Sequence, residues 1–79
     1  MERIARIINF VAKYHEDHWK PGMSVYKLVD EGCAACTDAT AQERSLVAII
    51  LNGSWNDAMY WAETVLGTYK STPFKDFNP

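Results

Sequence analysis

The 79-residue chain has only two cysteines and two histidines, and it has no run of basic residues. Because proteins that bind a phosphate backbone usually carry such a run, nucleic acid is not an expected partner. No apolar stretch reaches the roughly 18 residues that span a bilayer, so no membrane contact is expected. The sequence also lacks the motifs of a nucleophilic serine, a P-loop, a dinucleotide site and an H-E-x-x-H zinc protease. We therefore do not expect an enzyme.

The composition is that of an ordinary globular protein, with 48% hydrophobic residues, 23% charged residues and a net charge of -2. This length predicts a single helical domain over residues 1–79 with a small core. Arg3, Arg6 and Asn9 interrupt the first apolar run, which does not suit a signal peptide. Two cysteines three residues apart on a helix do not form a disulfide framework. We therefore expect a cytoplasmic protein.

Hydrophobic spacing predicts an all-α fold, a compact three- to four-helix bundle with helices at about 2–18, 25–37, 40–52 and 55–66. Ser24 suits the N-cap of the second helix, and Gly53 suits a left-handed residue after the third. Ser54 and Asp57 have the spacing of a capping box for the fourth helix. The stretch "LVAIILN" is apolar nearly all round, which predicts that the third helix is the central one. The tail after the fourth helix is predicted to be extended.

The histidines and cysteines form the one pattern with a metal-site spacing. His15 and His18 make H-x2-H, fourteen residues follow, and Cys33 and Cys36 make C-x2-C. Imidazole and thiolate are the ligands that zinc prefers. The order of the pairs resembles that of the zinc-binding helical domains of retroviral integrases, although in that family the histidines are normally three residues apart and the gap is longer. The resemblance implies a zinc-stabilised helical domain.

The alternative is that all four residues belong to the core, since each lies on the apolar stripe of its helix. If the first two helices form an antiparallel hairpin around Pro21, the cysteines lie about 12–18 Å from the histidines. Zinc ligands must lie within about 2.0–2.3 Å of one ion, so the hairpin and the metal site exclude each other. We favour the core interpretation and expect no cofactor, with zinc as an alternative. A redox pair is less favoured, because such pairs usually lie at a helix N-terminus.

Two surface features indicate partner binding. On the first helix, a second stripe alongside the apolar one combines basic residues with a ring. On the fourth helix, two rings lie outside or at the edge of the apolar face, and aromatic and Arg side chains are favoured in interfaces. The predicted partner-binding residues are Arg3, Arg6, Phe10, Lys13, Tyr60 and Trp61.

The strings "QERSL" and "AMYWAETVL" are similar to stretches of small helical phage proteins that sequester cyclic nucleotides from bacterial immune signalling. The resemblance covers about a quarter of the chain and transfers no ligand residue. It implies an alternative function, an oligomer that sequesters a small ligand. Among the residues themselves, Arg3, Arg6, Lys13 or Arg44 could hold a phosphate-bearing metabolite between protomers.

The favoured hypothesis is a small acidic, non-enzymatic interaction protein. It would act as a steric inhibitor or regulator by occupying a surface on a larger protein or complex. Size and acidity are typical of such proteins in phages and other mobile elements. Homodimerisation is expected too, because a bundle of this size has difficulty hiding its three Trp, four Tyr and three Phe side chains.

Overall fold

The computed structural model describes residues 2–67. This part of the chain forms four consecutive helices. They are α1 (Glu2–His18), α2 (Val25–Ala35), α3 (Ala41–Gly53) and α4 (Trp55–Leu66). No strand occurs in this part of the chain, so the all-α prediction is confirmed. None of these helices combines the length and the apolarity needed to cross a membrane. The predicted extended tail, residues 68–79, lies outside the described residues.

Helix α1 forms the centre of the bundle and packs against the other three helices. Its apolar residues recur every three or four positions, so they form one continuous stripe. Ile8 and Val11 on this stripe have no exposed surface. The buried residues of the helix are Ile4, Ala5, Ile7, Ile8, Val11, Ala12 and His15.

Helix α2 runs antiparallel to α1. It begins at Ser24, whose side chain accepts a hydrogen bond from the backbone N–H three residues further on, as predicted for an N-cap. Gly32 lies against Val11, in the second half of α1, whereas Cys36 lies beside Ile7, in the first half. The chain therefore reverses between the two helices, which is the arrangement on which the core interpretation depended.

The end of α3, but not its start, differs from the prediction. At its start, Thr40 and Glu43 form a complete capping box, in which each side chain accepts a hydrogen bond from the backbone N–H of the other. At its end, Gly53 is helical and lacks the predicted positive φ. Ser54 adopts an extended conformation that ends α3 and begins α4, and its side chain makes no cap hydrogen bond. The predicted left-handed Gly53 and the Ser54–Asp57 capping box are therefore both wrong.

The prediction that α3 is the central helix is also wrong. Only Val47 and Leu51 on this helix are buried, whereas Leu46 is 45% exposed and Ile49 is 70% exposed. At 3.6 residues per turn these two pairs lie on nearly opposite sides of the helix. One face of α3 therefore contributes to the core, and an apolar face points outward.

Candidate functional site

His15 and Cys36 lie far apart along the α1–α2 pair. Cys36 lies beside Ile7, whereas the ring of His15 lies 5.2 Å from that of Trp55 at the start of α4. Ile7 and His15 are about 12 Å apart along α1, at about 1.5 Å per residue. Within residues 2–67, no three His, Cys, Asp or Glu side chains are grouped closely enough to hold a metal ion.

His15 is a core residue. Only 3% of its surface is exposed, and it lies against the rings of Trp19 and Trp55. Burial lowers its pKa from 6.5 to about 4, so the ring is neutral at neutral pH. His18 instead lies at the surface, where its Nδ1 donates a hydrogen bond of 2.8 Å to the carbonyl oxygen of Tyr14.

The two thiols are free and buried. Burial raises the pKa of both, and the nearby carboxylates of Asp30 and Asp38 raise the pKa of Cys33 and Cys36 respectively. The Sγ of Cys36 lies 3.7 Å from an oxygen of Asp38, to which the S–H donates. Because the thiolate is the reactive form, both cysteines are poor nucleophiles at neutral pH.

A small groove lies between the first half of α1 and the segment that joins α2 to α3. Its volume is about 220 Å³. Phe10 lies at this groove with 43% of its surface exposed, whereas Cys36 and Ala39 are buried. We call it the Phe10 groove; its lining residues are Arg3, Arg6, Ile7, Phe10, Cys36, Asp38 and Ala39.

Arg3 lies at the edge of this groove and makes three hydrogen bonds there. Its guanidinium donates two hydrogen bonds of 2.8 Å to the carboxylate of Glu43 and one of 3.1 Å to the carbonyl oxygen of Asp38. Hydrogen bonds from Arg3 and the backbone of Thr40 lower the pKa of Glu43 to about 2. This pairing ties the start of α1 to the start of α3.

The other two bases of the predicted row also lie beside carboxylates. Arg6 is 3.6 Å from Glu2, and Lys13 is 3.1 Å from Asp17. The row is therefore not a free cationic surface, which weakens the case for an acidic or phosphate-bearing partner.

The six predicted partner-binding residues do not form one site. Arg3, Arg6 and Phe10 come together in the Phe10 groove, whereas Lys13 does not line it. On α4, Tyr60 is 72% exposed and Trp61 is half-buried against the core. Neither ring lines the groove.

A second groove, which the sequence did not indicate, runs between α2 and α3. It has a volume of about 310 Å³ and is open to solvent. We call it the α2–α3 groove; its lining residues are Asp30, Cys33, Ala34, Ala41, Arg44, Ser45 and Ala48. Two of its lining residues, Cys33 and Arg44, were singled out from the sequence, and the small residues on the two helices are equally typical of a tight helix contact.

No protein-family model, curated protein or solved structure matches this chain.

Proposed function

We propose that this chain is a small non-enzymatic interaction protein that covers a surface on a larger protein and so inhibits or regulates it. The contact that anchors it is one apolar side chain of the partner, which enters the Phe10 groove. The observation that supports this most strongly is the exposed ring of Phe10 beside a small concave surface with a buried floor.

The size of the groove favours a side chain over a metabolite. Pockets for small ligands have volumes of about 300–1,000 Å³. The Phe10 groove has about 220 Å³, which is below this range but enough for one anchoring side chain. Such anchors carry most of the binding energy in protein interfaces, and they insert into well-packed pockets.

The arrangement of the groove is that of an interface. Its floor is apolar, at Ile7 and Ala39, and its rim is polar, at Arg3, Arg6 and Asp38. An apolar centre with a polar rim is the usual anatomy of a protein interface. Because Arg3 is already fixed by three hydrogen bonds, binding loses little of its side-chain entropy.

The groups with potential chemistry support a non-enzymatic role. His15 lies in the core, and Cys36, which does line the Phe10 groove, has a raised pKa. Neither is poised as a base or a nucleophile at neutral pH. A cytoplasmic location and an origin in a phage or another mobile element stay predictions from the sequence.

The test uses a library of random peptides displayed on phage, selected on the immobilised full chain. We expect the recovered peptides to share an apolar residue and to shift the backbone NMR signals of residues 3–10 and 36–39. Phe10→Ser and Arg6→Glu should each weaken binding of the synthetic peptide, Phe10→Ser by more than about tenfold.

The matched control is Tyr60→Ser, which removes a more exposed ring from α4 and should leave peptide affinity unchanged. Circular dichroism spectra of all three variants establish that the helices remain. Peptides that depend on Tyr60 and not on Phe10 would show that the partner surface lies on α4, and the groove assignment would be wrong.

A further inference from the structure

The α2–α3 groove carries two opposite charges that have no partner in the described structure. Asp30 lies on its α2 wall and Arg44 on its α3 wall. Within residues 2–67, the ion pairs involve Arg3, Arg6 and Lys13, and neither Asp30 nor Arg44 takes part in one. Both charges lie near Cys33, because Asp30 raises the pKa of that thiol and Arg44 lowers it.

The surface between these charges is flat enough for another helix to approach closely. Ala34, Ala41 and Ser45 are exposed or half-buried, as is Ala48, so no large side chain obstructs the groove. On α3, the 70%-exposed Ile49 lies one turn beyond Ser45 on the same side of the helix. Small residues flanked by an exposed aliphatic side chain make a surface that can be buried.

We infer that the α2–α3 groove binds a second copy of this chain, with Asp30 of each copy paired to Arg44 of the other. A twofold interface uses the same patch on both partners, so residue i of one meets residue j of the other and the reverse. A patch with one acid and one base meets that condition, since rotation by a half turn places each charge opposite its counterpart. This interface shares no lining residue with the Phe10 groove. The dimer therefore presents two Phe10 grooves to a partner.

The inference is tested by charge exchange on the full chain, with sedimentation equilibrium as the measurement. The unmodified chain, of 9.0 kDa, should sediment at twice that mass. Asp30→Arg leaves two bases in the groove, and Arg44→Asp leaves two acids. Each variant alone should lose self-association by more than about tenfold, because like charges then face each other.

An equimolar mixture of the two variants is the decisive sample. The two-base groove of one copy matches the two-acid groove of the other, so the mixture should form a heterodimer although neither variant dimerises alone. Asp57→Arg and Lys27→Asp, which change the net charge equally outside the groove, should leave the homodimer intact. Circular dichroism melting of each variant separates loss of the interface from loss of the fold.

Three results would overturn the inference. One is a monomeric chain at all concentrations. Another is a dimer that survives Asp30→Arg and Arg44→Asp, since its interface would lie elsewhere. The third is a monomer from which phage-displayed peptides are selected that require Asp30 and Arg44, because the groove would then bind a different protein. None of these results depends on whether Phe10 binds a partner.

Discussion

Helices α1 and α3 are both rich in apolar residues, yet only α1 buries nearly all of them. The apolar stripe of α1 packs in the core, where Ile8 and Val11 are fully buried. Helix α3 has apolar residues on most of its circumference, buries Val47 and Leu51, and leaves Ile49 70% exposed.

The difference shows what hydrophobic patterning can specify. An uneven pattern selects one face of the helix for burial, since only one orientation removes most apolar surface from water. With a nearly uniform pattern, several orientations of the helix bury similar amounts of apolar surface. The Arg3–Glu43 ion pair is a side-chain contact that joins the start of α3 to the start of α1.

The largest expected effect comes from truncating the same residue type in both helices. Ile8→Ala should lower the free energy of unfolding by about 2–5 kcal/mol, because it removes buried methyl groups and leaves a cavity. Ile49→Ala should change the stability of a single copy by less than about 0.5 kcal/mol, since in one copy the side chain is 70% exposed. Urea denaturation measures both. Equal losses would mean that the outward face of α3 is part of the core.

Two glycine-to-alanine substitutions should change the free energy of unfolding by smaller amounts and in opposite directions. An added Cβ at Gly32 would lie 3.0 Å from Cγ1 of Val11, which is tighter than most such contacts, whereas at Gly53 it would meet nothing within 4 Å. Overpacking at Gly32 should lower the free energy of unfolding by about 1–3 kcal/mol, and the better helix propensity of alanine should raise it by up to about 1 kcal/mol. Gly32→Ala should therefore be destabilising. Gly53→Ala should stabilise α3 by roughly 0.5 kcal/mol. Thermal melts of the two variants provide the comparison, and a stabilising Gly32→Ala would contradict the close packing of α2 on α1.

A pH dependence of stability is also expected, and over the range from pH 7 to 5 it belongs to α1 and not to α3. Burial lowers the pKa of His15 from 6.5 to about 4, so the unfolded chain binds a proton that the folded chain does not. Stability should therefore fall as the pH is lowered from 7 to 5. On α3, the pKa of Glu43 is lowered from 4.5 to about 2, so its contribution is lost only at lower pH.

Thermal melts at pH 7, 6 and 5 measure this slope, and His15→Gln provides the control because glutamine does not titrate. The variant should be less stable at pH 7 and should have a flatter profile over this range. An unchanged slope in His15→Gln would assign the proton uptake to another group.

Much of the fold could be predicted from local signals. The four helices begin and end within two residues of their predicted limits, and Ser24 caps α2 as expected. The local sequence led to wrong predictions at the α3–α4 junction, where Gly53 was expected to be left-handed and Ser54 was expected to form a capping box. Only one residue separates these two helices, so Ser54 has to serve both ends in an extended conformation that suits neither predicted motif.

The candidate sites were harder to predict than the fold. Phe10 and the two arginines were recognised as surface residues, but the groove they line needs Asp38 and Ala39 from the α2–α3 connection. The pairing of Arg3 with Glu43 spans 40 positions in the chain and has no local signature. The positions of Tyr60 and Trp61 on α4 could be inferred from helical spacing, but their separation from the groove could not.

By itself, the sequence determined the number of helices, their approximate limits and the buried face of α1, because these depend on backbone propensity and on hydrophobic periodicity within one segment. Only the tertiary structure decided which face of α3 is buried, that His15 and Cys36 lie far apart, and that Asp30 and Arg44 share a groove. Those outcomes depend on how whole helices dock against one another. Docking is set by the total apolar surface buried and by a few long-range polar contacts, which no local pattern encodes.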